Sequence, residues 1–213
     1  MGDLPISQLT ALGSRRALFI MAAEPEYGPH LRARFTPLIT GIGPVEAALH
    51  TGIALARLAA AGQMPDMIVS VGSAGSRRCA LGSVHQIGSV SWRDIDASPL
   101  GIAPGVVPYL DEPVDLPLET PLDLPIATLS TGGDVVSGNG WDGISADMVD
   151  METYALARAA RTFGLPLVGL RGVSDGPGEL AGAHDWHRLL GYLDEKLAEA
   201  VDLLALHYSA HLI

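Results

Sequence analysis

Three features of the 213-residue sequence predict an α/β domain of three layers. Continuous apolar runs have the length of strands buried on both faces, apolar residues between them recur at helical spacing, and Gly or Pro marks the boundaries. The first run is Ala17–Ala23. Pro44 stands where a first helical turn starts, and Val45, Leu49 and Ile53 follow at four-residue spacing until Gly62, predicting a helix with that stripe inward. Met67–Val71 reads as a second buried strand, and Leu165–Leu170 as another. Before the latter, Met151, Ala155, Ala159 and Phe163 predict a helix that Gly164 stops. A last helix is expected from an Asp185 cap, with the stripe Trp186, Leu189, Leu190, Leu193, Leu197, Val201, Leu204 and Tyr208. Residues 97–125, rich in Pro, Leu and Asp, show no periodicity and read as a long loop that covers something or meets a partner subunit. The length suits one domain over 1–213.

Composition narrows the function classes. Apolar residues at 48% against 17% charged describe a packing-rich globular chain. A net charge of -11 argues against nucleic acid or an anionic membrane as partner, yet leaves an uncharged nucleoside open. The single Cys79, read as a buried inert thiol, offers no intrachain disulfide and no multi-Cys zinc site. His184 and His187 flank Trp186 without a metal-binding interval, so no metal is expected. Thr40-Gly41-Ile42-Gly43 lacks the third glycine of a dinucleotide turn, where Glu46 stands, so no cofactor is expected either. Without an export signal or an apolar stretch of membrane-spanning length, the expected location is the cytoplasm.

Several strand ends run into small residues and then an acidic or hydroxyl side chain: Ala22-Ala23-Glu24-Pro25-Glu26, Val71-Gly72-Ser73-Ala74-Gly75 and Gly172-Val173-Ser174-Asp175-Gly176. Ligands of open α/β sheets bind outside the carboxyl ends of strands, so these turns should converge on one crevice. Asp150-Met151-Glu152 adds two carboxylates where a strand hands over to a helix.

Together with Thr40–Ala48, Arg93–Ala97, Ser130–Asp134, Val149–Glu152 and Arg171–Asp175, these stretches resemble the nucleoside phosphorylase and nucleosidase superfamily, and most closely the bacterial methylthioadenosine/S-adenosylhomocysteine nucleosidases. The resemblance implies a nucleoside phosphorylase-like α/β/α sandwich with a central mixed sheet. It implies hydrolysis of the N-glycosidic bond of 5'-methylthioadenosine or S-adenosylhomocysteine, following the two-carboxylate logic of glycoside hydrolysis. By similarity Asp175 protonates the base with Ser174 fixing it, Glu26 activates water, Glu152 accepts from the ribose hydroxyls, and Met151 packs on the sugar. Ser73 and Gly75 would line the sugar and water side. The Val136-Ser137 segment would meet the base, with Val136 where relatives place a stacking aromatic. Trp186 would be either a core residue or a cover over the 5' substituent. The resemblance also implies a homodimer in which the 97–125 segment, with Leu100, Val106, Val107 and Leu110, helps to close the pocket. Three other readings stay open. One is a phosphorylase of the same fold, whose relatives carry an arginine where this chain has Ser70, with Arg77 and Arg78 beyond the turn. A second is a hydrolase of futalosine or another nucleoside, and the third is a nucleoside-binding protein without catalysis.

Overall fold

The structure is a computed structural model that describes residues 8–176, 178, 182 and 186–210. Its strands are β1 (Thr10–Leu12), β2 (Arg15–Met21), β3 (Leu38–Ile39), β4 (Met67–Ser76), β5 (Val84–Trp92), β6 (Leu116–Pro117), β7 (Ile126–Thr131), β8 (Met148–Asp150) and β9 (Leu167–Asp175). The helices are α1 (Pro29–Arg32), α2 (Pro44–Ala60), α3 (Thr153–Thr162) and α4 (Leu190–Ala210), with short 3-10 turns at Glu24–Glu26, Ser98–Leu100 and Gly138–Gly143. The expected strands and helices are all present, with β4 and β9 running further at their carboxyl ends than the apolar runs alone suggested.

The sheet is mixed. β2 pairs in parallel with β3 and β4, and β4 with β9, whereas β8 is antiparallel to β4 and β5 antiparallel to β9. Since β5 also pairs with β7 and β7 with β8, the strands β4, β8, β7, β5 and β9 close a ring. That closure, which alternating apolar runs do not encode, gathers several strand ends around one opening.

Strand alternation sends side chains to two cores. Leu18, Ile20, Ile68 and Val173 meet Leu55 and Leu58 of α2 and Leu156 and Ala160 of α3. Phe19, Met21, Val69 and Leu170 meet Leu193, Leu197, Val201 and Leu204 of α4. The α4 stripe is as expected from Leu190 onward. Trp186 lies instead on a separate helical turn ahead of it, and the expected Asp185 cap, like His184, falls outside the described residues.

One helical stripe is the reverse of the expectation. Val45, Leu49 and Ile53 are 73%, 52% and 37% exposed, and the buried face of α2 is Ala47, Thr51, Ala54, Leu55 and Leu58. Both faces of α2 are apolar, so four-residue spacing could not choose between them. The smaller side chains Ala47, Thr51 and Ala54 face inward, where they let the helix axis approach its neighbours closely.

The 97–125 segment is not free. Glu112 takes Arg158 at 2.5 Å and Arg161 at 2.7 Å, both on α3, and Leu116 is fully buried. Of the apolar residues expected to face a partner, Leu100 is 78% exposed while Val106, Val107 and Leu110 are half-buried. Cys79 is partly buried against the α2/α3 core. Among the described residues no helix is long and apolar enough to cross a membrane.

Candidate active site

A cavity of about 430 Å³ opens at the carboxyl ends of β2, β4, β8 and β9. Glu26, Ser73, Gly75, Val136, Met151, Glu152, Ser174, Asp175 and Trp186 all line it. Ser137 does not; it precedes the Gly138–Gly143 turn beside the cavity wall. Trp186 is therefore a pocket residue and not part of the α4 core. Val136 and Val149 border the cavity from a small apolar cluster with Trp141 and Ile144. Arg77 holds the loop carrying that cluster through the carbonyls of Trp141 and Ile144, and Arg78 through that of Ser145.

Glu26 sits at the end of the turn that follows β2 and is 8% exposed. Both the backbone N–H of Ser73 (2.7 Å) and its hydroxyl (2.6 Å) donate to Glu26 Oε1. Burial raises the Glu26 carboxyl, and the two Ser73 bonds pull it part of the way back. A Cβ at position 72 would stand 3.4 Å from the Glu26 carboxylate, an ordinary contact distance. The segment after Glu26 is fixed from α4, where Asp194 accepts from the N–H groups of His30 (2.8 Å) and Leu31 (3.0 Å).

Asp175 owes its position to a β-bulge. Ala74 pairs with Val173, but Gly75 pairs with Asp175, leaving Ser174 as the extra residue. Ser174 Oγ then donates to Asp175 Oδ1 at 2.6 Å. A Cβ on residue 75 would stand 2.7 Å from Asp175 Oδ2, a contact that real side chains do not make. Burial raises the Asp175 carboxyl, against the Ser174 bond that lowers it.

Glu152 precedes α3 and accepts the Gly43 N–H at 2.8 Å, which ties it to the first turn of α2. Gly43 has φ 103°, a conformation that a side chain would strain. Burial, and next the charge of Asp150, push Glu152 up to about 7.

Asp150 and two arginines that reading the sequence missed form the floor beneath these carboxylates. Asp150 accepts from Thr131 Oγ1 (2.6 Å), from Thr153 N (3.2 Å) and Oγ1, and from Arg171 Nη2 (3.1 Å). The Arg171–Asp150 pair is almost wholly buried, its side chains 4% and 2% exposed. The remaining Arg171 donors go to Ser70 O and Oγ, Leu170 O and Thr153 Oγ1. Arg93 is spent in the same way, on Ser130 O, Asp150 O, Asp134 O and Asp134 Oδ1. A guanidinium has five N–H donors, and both arginines that line the cavity have all of theirs engaged. The signal that could have found Arg171 is a cation inside an otherwise apolar buried strand, which requires a buried anionic partner. Among the described residues no group of three or more His, Cys, Asp and Glu could hold a metal ion.

Residues 136–209 match the family model described as the phosphorylase superfamily. No curated protein sequence is significantly similar to the chain. Among solved structures, the 5'-methylthioadenosine/S-adenosylhomocysteine nucleosidase of Colwellia psychrerythraea 34H in complex with adenine superposes with a TM-score of 0.73 at 21% identity, covering 98% of this chain and 98% of that one. The Helicobacter pylori nucleosidase with butyl-thio-DADMe-Immucillin-A gives 0.73 at 17% identity, over 88% of this chain and 96% of that one. The native futalosine hydrolase of Helicobacter pylori strain 26695 gives the same 0.73 at 17% identity, again over 88% and 96%. The chain thus shares its mixed-sheet fold with these nucleosidases and with futalosine hydrolase, and residues 136–209 match the phosphorylase superfamily model.

Proposed function

We propose that the chain is an N-glycosyl hydrolase that acts on 5'-methylthioadenosine and/or S-adenosylhomocysteine, releasing adenine and a 5-thio-substituted ribose. In this reading it is a cytoplasmic enzyme of one domain, a three-layer α/β/α sandwich over 1–213, and works as a homodimer without metal or cofactor. The bond between ribose C1' and purine N9 breaks, and its electron pair passes into the purine. Asp175 delivers a proton to N7, and the oxygen of a water molecule bonds to C1' as Glu26 takes up the proton that water loses. Glu152 accepts from the ribose hydroxyls with Met151 against the sugar, Ser73 and Gly75 line the water side, and Ser174 fixes Asp175. The base lies towards Val136, with Ser137 behind it, and Trp186 covers the 5' substituent. The upward shift of Asp175 by burial supports its role, since an acid must hold its proton near working pH.

The observation that carries hydrolysis over phosphorolysis is the full engagement of Arg93 and Arg171. Phosphate beside the sugar needs fixed cations or well-aimed backbone donors; among the described residues both arginines that line the cavity have their donors engaged, and the Ser73 N–H is taken by Glu26. Exposed Ile42 (55%), which itself lines the cavity, with Val45 and Leu49 behind it, supports a second copy seated at the mouth.

The test is adenine release from methylthioadenosine in phosphate-free buffer, with futalosine and S-adenosylhomocysteine alongside. The expected product is 5-methylthioribose, with no acceleration and no sugar 1-phosphate when phosphate is added. Asp175→Asn and Glu26→Gln should each lower kcat/KM by on the order of 10²-fold. Release that depends on phosphate would assign the chain to the phosphorylases. Nucleoside binding without release would leave a binding protein.

A further inference from the structure

We propose that Trp186 is a positioning residue for Glu26, acting through the hydroxyl of Ser73. The inference deepens the nucleosidase reading and rests on it. The indole Nε1 stands 2.8 Å from Ser73 Oγ, and Ser73 Oγ stands 2.6 Å from Glu26 Oε1. An indole N–H can only donate, whereas a hydroxyl has one proton to give and lone pairs to receive. Trp186 therefore occupies a lone pair of Ser73 Oγ, and the single Ser73 proton is directed at the carboxylate. The direction of the chain is fixed: Trp186 to Ser73 to Glu26.

The Ser73 backbone N–H lands on the same oxygen, Oε1, at 2.7 Å. Oε2 is then the oxygen left to take a proton. A Ser73 hydroxyl without the indole could rotate, receive a proton from a neutral Glu26 or turn towards a ligand, and Glu26 would lose the donor that holds it ionised. The charged groups acting on Glu26 are Arg171, which favours the anion, and Asp150, which opposes it. Glu152 is a second carboxylate acting against it, as their mutual repulsion requires. The Trp186 ring stacks at a tilt on His187, 4.8 Å between centroids. Trp186 also lies just ahead of α4, whose Asp194 fixes the segment after Glu26.

The test is the titration of Glu26 itself, by 13C NMR of protein labelled at glutamate Cδ, with the resonance assigned by its loss in Glu26→Gln. Trp186→Phe keeps the ring and removes only the donor. It should raise the Glu26 midpoint by up to about one pH unit, because the freed Ser73 hydroxyl can leave the carboxylate and its bond to that charged group is worth about that much. Ser73→Ala should raise it at least as far, and Trp186→Phe should add nothing on that background. In turnover, Trp186→Phe should lower kcat on methylthioadenosine about tenfold with KM within about threefold, and move the acid limb of the kcat profile to higher pH. An unmoved Glu26 midpoint in Trp186→Phe, or full additivity with Ser73→Ala, overturns the proposal. The NMR arm needs no turnover, so a wild-type protein that releases no adenine would defeat the nucleosidase reading and leave the relay to be judged by titration alone.

Discussion

Replacing Glu152 with glutamine should stabilise the unliganded protein, and by more at pH 8 than at pH 5. Burial and the neighbouring Asp150 charge move the Glu152 carboxyl from 4.5 in an unstructured chain to about 7 in the fold. Between those values the native state holds the proton more tightly than the unfolded chain does. The stability linked to this group is therefore complete below about pH 4.5 and is lost as pH rises through about 7. At about 1.4 kcal/mol per pH unit, the span from 4.5 to about 7 caps the loss near 3 kcal/mol. Glu152 is only half-buried, and water and the Gly43 N–H relieve part of the charge, so about 1–2 kcal/mol is the expected growth between pH 5 and pH 8. Glutamine keeps an oxygen for the Gly43 N–H and has no charge to bury. Urea denaturation of both proteins across that range, read by far-UV circular dichroism, gives the difference directly. A difference that does not change with pH would refute the argument that a buried charge sits at Glu152.

Two further outcomes follow from the contacts around the cavity. Arg171→Met leaves Asp150 charged and buried without its cation, and should cost about 3–5 kcal/mol in urea denaturation. A cost below about 1 kcal/mol would mean that the pair is not the load-carrying contact of the cavity floor. Val45→Lys combined with Leu49→Lys changes two exposed positions of α2, so it should leave the monomer fold intact and dissociate the proposed dimer at micromolar concentration, as read by sedimentation velocity. A wild-type protein that sediments as a fully active monomer rules out the assembly.

The parts of this molecule that were legible in the sequence are those where one physical demand acts on a contiguous segment. A strand buried on both faces must be apolar throughout, so β2, β4 and β9 could be read from Ala17–Ala23, Met67–Val71 and Leu165–Leu170. Small residues followed by an acidic or hydroxyl group marked the turns at Glu26, Ser73 and Asp175, which the fold brings to one cavity. What could not be read depends on partners far apart in the chain. Arg171 is explained by Asp150, Ser70 and Thr153, and Arg93 by Asp134 and two carbonyls. The ring closure of β5 on β9 is likewise a pairing of distant segments. The inward face of α2 was misread because large apolar residues on one side and small ones on the other satisfy the same period. Trp186 could be settled only by the cavity it lines and by its indole contact to Ser73, 113 positions away in sequence.

The extra residue at Ser174 makes β9 a counting device. A strand turns its side chains up and down in strict alternation, so the parity of the count from Leu167 decides which side each one serves. Ser174 breaks that parity once, immediately before Asp175, after the core positions Val168, Leu170 and Val173 have been set. Losing Gly169, with Asp175 held opposite Gly75, would erase the bulge and turn the side chains of Leu170, Arg171 and Val173 to the opposite faces. The apolar composition of the strand would scarcely register the change. Length, rather than identity, is therefore what an engineer must hold constant in this strand, and two β9 sequences equally greasy but one residue apart would build different cavities.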